Sequence, residues 1–281
     1  MTEMDFRVNN ITGDTYPNNE LLVETDWLFI HLDDKEIRIV DLRHREKYDK
    51  GHIKNSVHLN HADITGDDTD KRAFPPRNSA VILGSLGIDR DTMVVAYDDD
   101  SGHYAARLFW ILEYLGHKKA RILNGGLLKW INEKRGLSTH PHRINMKTFL
   151  PQPNPDKIAN AEWILKHISD PDVVMLDVRR ASEYTGIEIR AMRGGRIPGS
   201  VNIEWREAAR NDQTFKSSKE LSDMFGKSGV CKDREIMIYC QLGVRAAHTY
   251  FTLRLLGYPK LRVYNGSWAE WGNDPELPVE K

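Results

Sequence analysis

The sequence EIMIYCQLGVRAAHTYFTLRLLG, residues 235–257, decides the fold of this chain. Residues 236–239 form a short apolar run of strand-forming residues that is too brief for a helix. Apolar side chains at positions 247, 250, 251 and 255 then recur with helical spacing, and Gly257 stands where a helix often ends. The pattern predicts a strand, a six-residue loop from Cys240 to Arg245, and a helix over 246–256.

Cys240 therefore stands between the carboxyl end of a strand and the amino end of a helix. Free main-chain N–H groups and the helix dipole attract an anion to that place, so they favour the thiolate, the reactive form of cysteine. Arg245 adds a positive charge, and Gly243 permits a tight loop. A lone cysteine on an apolar strand is commonly a buried structural residue. Because loop, glycine, arginine and helix occur together, we interpret Cys240 as a nucleophile and Cys231, before the strand, as structural.

Four motifs follow one another in the second half of the chain: LDVR at 176–179, GRIPGSVN at 195–202, CQLGVR at 240–245 and YNGSWAEW at 264–271. In this order and at this spacing they resemble the rhodanese family. In that family the six-residue loop forms a bowl of backbone N–H groups around a cysteine that becomes a persulfide. The resemblance implies that Cys240 is the catalytic residue.

The resemblance also implies a substrate-binding set, made of the loop residues after the nucleophile and the arginine of the Asp-x-Arg motif. The members of this set are Arg179, Gln241, Leu242, Gly243, Val244 and Arg245. A guanidinium offers a donor fork that suits a sulfonate or a carboxylate. Asp177 and Arg179 alternatively pair with each other, as the presence of Arg43 in the first half of the chain indicates.

The chain contains an internal duplication. The segments IVDLR (39–43), GHIKNSV (51–57), VVAY (94–97) and ILNGG (122–126) recur 136 to 144 residues later as MLDVR, GRIPGSV, IMIY and VYNGS. A repeat of this length is a domain, not a solenoid unit. In each copy short apolar strands alternate with helical stretches, which predicts an α/β fold with a mainly parallel sheet and helices on both faces. The resemblance implies the same architecture, two tandem rhodanese-like domains.

The two copies are predicted to meet at a proline-rich segment. Prolines 141, 151, 153 and 155 lie in a stretch without periodicity, which is typical of a linker. We therefore expect a first domain at residues 1–145, a linker at 146–155 and a catalytic domain at 156–281.

The copies differ where the chemistry lies. The first copy reads YDDDSGH over 97–103, with Asp98 at the position of Cys240 and a loop one residue longer. A carboxylate cannot accept a sulfur atom and would repel an anionic donor, so the first domain is expected to be catalytically inactive. Binding of a divalent cation by residues 98–100 is an alternative, although carboxylates at a helix start are often simply favourable to its dipole.

Composition narrows the function classes. The formal charge of −1, with 29% charged residues in 281, argues against nucleic acid as a partner. The apolar runs are too short to span a bilayer, and residues 1–10 are too polar for a signal peptide. Two cysteines do not make a disulfide framework, and a working thiolate needs a reducing compartment, so we expect the cytoplasm.

The sequence thus predicts a sulfurtransferase that moves a sulfane sulfur from thiosulfate to cyanide or a thiol through a Cys240 persulfide, without a metal or organic cofactor. The family's mercaptopyruvate enzymes have small and hydroxyl residues after the cysteine, and its vertebrate thiosulfate enzymes have two basic residues there. The loop CQLGVR matches neither type, so 3-mercaptopyruvate stays open as an alternative donor. A Cys-dependent phosphatase or arsenate reductase is a further alternative, although the related phosphatases have Cys-x5-Arg and this chain has Cys-x4-Arg. The last alternative is a non-enzymatic sulfur-binding module.

Overall fold

The computed structural model describes residues 15–65 and 78–281, so the interpretation of residues 1–10 lies outside the described part. The first domain contains β1 (Leu22–Val23), α1 (Thr25–Ile30), β2 (Ile37–Asp41), α2 (Arg45–Lys50), β3 (Val57–His58), α3 (Ala62–Thr65), α4 (Ser79–Ser85), β4 (Met93–Tyr97), α5 (His103–Tyr114), β5 (Ala120–Leu123) and α6 (Gly126–Asn132). The second contains β6 (Ile158–Ala159), α7 (Ala161–His167), β7 (Val173–Asp177), α8 (Ala181–Tyr184), β8 (Val201–Asn202), α9 (Ser218–Lys227), β9 (Glu235–Tyr239), α10 (Val244–Leu255), β10 (Leu261–Tyr264) and α11 (Ser267–Trp271). Short 3-10 helices occur at Asn19–Leu21, Pro155–Lys157 and Trp205–Ala208.

Each copy builds one five-stranded sheet, and the two sheets have the same strand order. The first runs β1-β5-β4-β2-β3 and the second β6-β10-β9-β7-β8. Every strand pair in these sheets is parallel. The predicted α/β fold and the duplication are confirmed, and the sheets are wholly rather than mainly parallel across the described residues. The functional loops therefore lie at the carboxyl edges of β4 and β9.

Apolar side chains cover both faces of each sheet. One core cluster extends over the facing sides of the two sheets and includes Phe109 of α5 and Phe251 of α10. Two smaller clusters cover the outer faces, one around Trp130 and the other around Trp268 and Trp271. Helices on both faces are what a parallel sheet requires, because its strands are buried on both sides.

The domains join through α5 and α10. Nine of the twelve residues of α10 are buried, so the helix packs against the rest of the protein on nearly all sides. The rings of Phe109 and Phe251 meet edge to face at 4.9 Å. Glu113 accepts hydrogen bonds from Tyr250 Oη at 2.6 Å and from Arg254 Nη2 at 2.9 Å. This interface places the carboxyl edges of both sheets near the domain boundary.

Residues 133–154, between the two sheets, form neither helix nor strand. Ser138 pairs with His52 in an isolated bridge, and the Gln152 and Asn154 amides donate to carbonyls at the end of α5 and just beyond it. The segment thus runs along the first domain, and the predicted boundaries at 145 and 155 stay a prediction. No helix between residues 15 and 65 or between 78 and 281 has the length and apolar composition needed to cross a bilayer.

Candidate active site

The Cys240 segment folds as strand, loop and helix, with the helix starting earlier than the sequence predicts. Cys240 follows β9 directly, its side chain is buried, and α10 begins at Val244 instead of at 246. Gly243 caps the helix with φ of 78°, a left-handed conformation that glycine adopts without strain. This turn aims the Gly243 N–H at the sulfur, with 3.1 Å between N and Sγ. The sulfur therefore accepts an amide hydrogen bond at the positive end of a helix.

The loop is anchored from behind by α11. The Cys240 N–H donates to Ser267 Oγ at 3.1 Å, and this hydroxyl in turn donates to the Tyr264 carbonyl at 2.7 Å. The Trp268 N–H donates to the Cys240 carbonyl at 2.9 Å. These bonds fix the backbone on both sides of the cysteine, so the sulfur has a defined direction. The motif YNGSWAEW thus serves to hold the loop.

The corresponding loop of the first domain holds an anion of its own. Asp98 is fully buried, and its carboxylate accepts four backbone N–H groups at 2.8 to 3.0 Å, two on each oxygen, from Asp100, Gly102, Tyr104 and Ala105. Gly102 caps α5 with φ of 79°, as Gly243 caps α10 with φ of 78°. The loop is one residue longer than the Cys240 loop, as predicted, because α5 begins five residues after Asp98 and α10 four residues after Cys240. The strand–loop–helix turn of this fold therefore directs several amides at one anionic site.

The carboxylates that follow Asp98 point to separate partners. Asp99 pairs with Lys47 at 2.5 Å, and Asp100 pairs with Arg206 of the second domain at 2.9 Å. His103, whose Nδ1 lies 3.4 Å from Asp100 Oδ2, and then the charge of Arg206 lower the pKa of Asp100 to about 2. The described residues contain no group of three or more His, Cys, Asp or Glu side chains arranged to hold a metal ion. The carboxylates of residues 98–100 thus do not converge on one point, as a cation site would require.

Arg245 lies at the end of the Cys240 loop and pairs with a buried carboxylate. Its Nη1 and Nη2 donate to the two oxygens of Glu183, in α8, at 2.7 and 2.9 Å. Glu183 is 1% exposed and Arg245 15%. Burial alone would raise the pKa of Glu183, but the hydrogen bonds and charge of Arg245 outweigh it and lower that pKa. The cation predicted for the loop is present, and it is shared with a carboxylate that the sequence analysis did not identify.

Arg179 is buried and paired within its own motif. Its Nε donates to Asp177 Oδ1 at 3.0 Å and its Nη2 to the Gly195 carbonyl at 2.7 Å. The guanidinium carbon lies 4.5 Å from the centre of the Trp268 ring. Arg43 makes the equivalent bonds to Asp41 and Gly51 in the first domain. The Asp-x-Arg pair thus ties a strand end to the glycine of the next motif in both copies, and the contact of Arg179 with substrate stays a prediction.

Comparison with known proteins agrees with this geometry. The chain matches the family described as Rhodanese-like domain twice, over residues 24–133 and 160–274. It belongs to the rhodanese family. It is 35% identical over 280 residues to the sulfur carrier protein TtuD of Thermus thermophilus, covering 95% of this chain and 98% of the relative.

A second relative is the thiosulfate sulfurtransferase of Azotobacter vinelandii, 32% identical over 278 residues and covering 95% of this chain and 99% of the relative. Among solved structures, the anaerobic ergothioneine biosynthesis enzyme from Chlorobium limicola in complex with trimethyl histidine has a TM-score of 0.87 and 25% identity. That match covers 95% of this chain and 72% of that chain. The protein is thus a rhodanese-family sulfurtransferase, and the expected tandem arrangement of rhodanese domains is confirmed.

The remaining loop residues of this rhodanese have distinct surroundings. Gln241 Nε2 donates to the Arg190 carbonyl at 2.9 Å, which links the loop to the segment between α8 and β8. Leu242 is 43% exposed, and Val244 is half-buried. Leu242 is therefore the residue of the loop that presents its side chain to solvent.

Two further residues near β9 and α10 have surroundings that differ from those of Cys240. His248 is buried, its Nε2 lies 3.0 Å from the Ser101 carbonyl, and burial lowers its pKa to about 3, so it is neutral at physiological pH. Cys231 is exposed and lies before β9. Cys240 follows the other end of this five-residue strand, which is about 17 Å long at the usual rise.

The sequence analysis missed one residue of the first domain. Arg107, in α5, is fully buried, and its Nη2 donates to Asn265 Oδ1 in the second domain at 2.7 Å. Its Nη1 lies 3.0 Å from the place where a Cβ on Gly243 would be. An arginine in the middle of an otherwise apolar helical stretch is an unusual sequence feature and could have indicated a special role. Its partner Asn265 lies in the other domain, however, and no local pattern connects the two.

Proposed function

We propose that this protein is a thiosulfate sulfurtransferase that works through a persulfide on Cys240. The observation that carries the proposal is the hydrogen bond from the Gly243 N–H to Cys240 Sγ at 3.1 Å. The duplicate loop supports it, because the same turn surrounds the Asp98 carboxylate with four amides. A loop of this kind stabilises a thiolate before the reaction and a persulfide anion after it.

In the first half-reaction the Cys240 thiolate attacks the outer sulfur of thiosulfate. A new S–S bond forms between Sγ and that sulfur, the S–S bond of thiosulfate breaks, and sulfite leaves with the bonding electron pair. The product is a Cys240 persulfide anion, and total charge is conserved. We propose that the loop amides of residues 241–245, of which the Gly243 N–H already donates to the sulfur, hold this negative charge, and that Arg245 supplies a nearby cation.

In the second half-reaction a thiophilic acceptor, cyanide or a thiolate, attacks the outer sulfur of the persulfide. The S–S bond breaks, the sulfur leaves on the acceptor as thiocyanate or a new persulfide, and the Cys240 thiolate returns. A covalent intermediate of this kind gives ping-pong kinetics. Neither half-reaction as proposed uses a metal or an organic cofactor. A reducing compartment, for which we propose the cytoplasm, keeps the thiolate available.

Intact-protein mass spectrometry tests the proposal directly. After incubation with thiosulfate and removal of the donor, we expect the protein to gain the mass of one sulfur atom and to lose it when cyanide is added. Cys240→Ser should gain nothing, because serine forms no persulfide, whereas Cys231→Ser should behave as the natural protein does. Absence of the added sulfur in the natural protein, or its presence in Cys240→Ser, would contradict the proposal.

The donor is tested separately by kcat/KM for thiosulfate and for 3-mercaptopyruvate, with cyanide as acceptor. Thiosulfate is proposed because the loop lacks the hydroxyl residues of the mercaptopyruvate enzymes, and because Arg245, although paired with Glu183, places a cation at the end of the loop. The name of the Azotobacter vinelandii relative supports the same donor. A preference of tenfold or more for 3-mercaptopyruvate, about 1.4 kcal/mol of transition-state discrimination, would exclude thiosulfate as the main donor.

A further inference from the structure

The interface between the domains brings a cation of the catalytically inactive domain to the active loop. Arg107 leaves the middle of α5 and reaches across to the second domain, where Nη2 donates to Asn265 Oδ1 at 2.7 Å. Its Nε donates to the Ile64 carbonyl at 3.2 Å, and its guanidinium carbon lies 4.8 Å from the centre of the Trp110 ring. The guanidinium is therefore held on three sides in a fixed orientation.

The same guanidinium packs against the glycine that binds the cysteine sulfur. A Cβ built on Gly243 would come within 3.0 Å of both Arg107 Nη1 and Asn265 Oδ1, and within 3.1 Å of the Asn265 carbonyl. Arg107 and Asn265 thus form the wall behind the amide that donates to Cys240 Sγ. Movement of this wall would move that amide, because nothing but the glycine backbone separates them.

We propose that Arg107 is a positioning residue for sulfur transfer: supplied by the first domain, it braces Gly243 and Asn265 and adds positive charge beside the Cys240 thiolate and its persulfide. The proposal rests on the proposed function of Cys240. Nothing in the motifs of the second domain accounts for this contribution, and it gives the inactive copy a part in the chemistry.

Charge supports the geometry. Burial lowers the pKa of Arg107 to about 9, and attraction to the Cys240 sulfur opposes that decrease, so the guanidinium remains protonated near neutral pH. Arg179 and Arg245 each share their charge with a carboxylate, Asp177 and Glu183 respectively. Two of the donors of Arg107 bond to the Ile64 carbonyl and to the side-chain amide oxygen of Asn265. The charge of Arg107 therefore adds to the positive potential at the loop.

The test uses the full chain in a Cys231→Ser background, so that Cys240 is the one remaining cysteine of the two. The rate of alkylation by iodoacetamide is measured against pH in Arg107→Met and Arg107→Gln, with folding checked by circular dichroism. We expect the midpoint of the profile to move up by about one pH unit, which makes alkylation about tenfold slower below the midpoint. Methionine is apolar and glutamine is polar, and both remove the charge of Arg107 while filling much of its volume. If one of the two variants does not fold, the other still provides the test.

A matched control is Arg38→Gln, since Arg38 is also a buried arginine of the first domain but lies near the amino end of β2, at the opposite edge of the sheet. We expect its alkylation profile to be unchanged. Arg107→Lys keeps the charge but not the planar fork, so its profile should stay near that of the natural protein while kcat for sulfur transfer falls several-fold.

A folded neutral variant of Arg107 with an unchanged profile would overturn the proposal, as would an equal shift in Arg38→Gln. An unchanged kcat in Arg107→Lys would refute the bracing role. Alkylation needs no sulfur donor, so these results are independent of donor identity. Failure of the proposed function appears separately, as a natural protein that takes up no sulfur from thiosulfate.

Discussion

Replacing Asp98 with asparagine tests whether the strand–loop–helix turn is built for an anion. The carboxylate accepts four backbone N–H groups directly, two on each oxygen, at 2.8 to 3.0 Å. Asparagine has the same shape, but one of its two terminal atoms is a donor. Whichever way the amide turns, two N–H groups then face an NH2 group and lose their acceptor.

The magnitude follows from these two donors. A buried donor left without an acceptor costs about 1–3 kcal/mol, so the two donors predict that Asp98→Asn destabilises the protein by about 2–6 kcal/mol. This is a large part of the total stability of a domain, which is about 5–15 kcal/mol. Asp99→Asn is the matched control, because its ion pair with Lys47 joins side chains that are 32% and 52% exposed. Such a pair contributes less than about 1 kcal/mol.

Urea unfolding, followed by tryptophan fluorescence and circular dichroism, measures both variants. Sulfur transfer per folded molecule is measured in parallel, and Asp98→Asn should keep most of it, because no proposed step uses Asp98. A stability of Asp98→Asn within about 1 kcal/mol of that of Asp99→Asn would refute the anion-binding interpretation of the turn, since charged hydrogen bonds to a buried carboxylate cannot be that weak. The interpretation of the Cys240 loop as a thiolate-binding turn would then also lose the support that it takes from the Asp98 loop.

Two further predictions concern the active loop. Arg245→Ala should lose up to about 3–5 kcal/mol of stability in urea unfolding at pH 7, because the buried Glu183 loses its bidentate partner and keeps the longer ion pair with Arg190 at 3.6 Å. The pKa of Glu183 is lowered in the natural protein, so the ion pair stabilises the fold at pH values above the unfolded pKa of Glu183. This contribution disappears as the pH falls through the folded pKa. The difference in stability between the natural protein and Arg245→Ala should therefore become smaller in acid, and a constant difference would contradict the reasoning. Gly243→Ala should cost about 1–2 kcal/mol from its left-handed backbone and should lower kcat/KM at least about tenfold, because the displaced amide no longer binds Cys240. Gly226→Ala, where an added Cβ meets nothing within 4 Å, is its control and should keep full activity.

Much of the fold follows from local patterns in the sequence. The strand before Cys240 and the helix after it have clear apolar periods, and the repeated motifs relate each element of one domain to its counterpart in the other. The same alignment places Asp98 opposite Cys240 and indicates the extra residue in its loop. The helix start is missed by two residues, because Val244 and Arg245 belong equally well to a loop until the conformation of Gly243 is known.

The partners of the site's charges could not be predicted in this way. Glu183 lies 62 positions before Arg245, and Arg107 lies 158 positions before Asn265. No periodic pattern connects residues at such distances; their contacts depend on how α8 lies against the active loop and how α5 lies against α10. The sequence therefore identifies the cation at the loop end but not the carboxylate that shares its charge.

The first copy, which has Asp98 where the second has Cys240, packs closely against the second. Tyr250 and Phe251 of α10 are buried against α5, where they meet Glu113 and Phe109. Exposing large apolar side chains costs about 1.5–3 kcal/mol each, so separating the domains at these two residues alone would consume much of a domain's stability. Selection on packing would therefore retain α5 even without chemistry. Once α5 is fixed there, a charged residue on its buried face lies permanently at the back of the active loop, and Arg107 occupies that place.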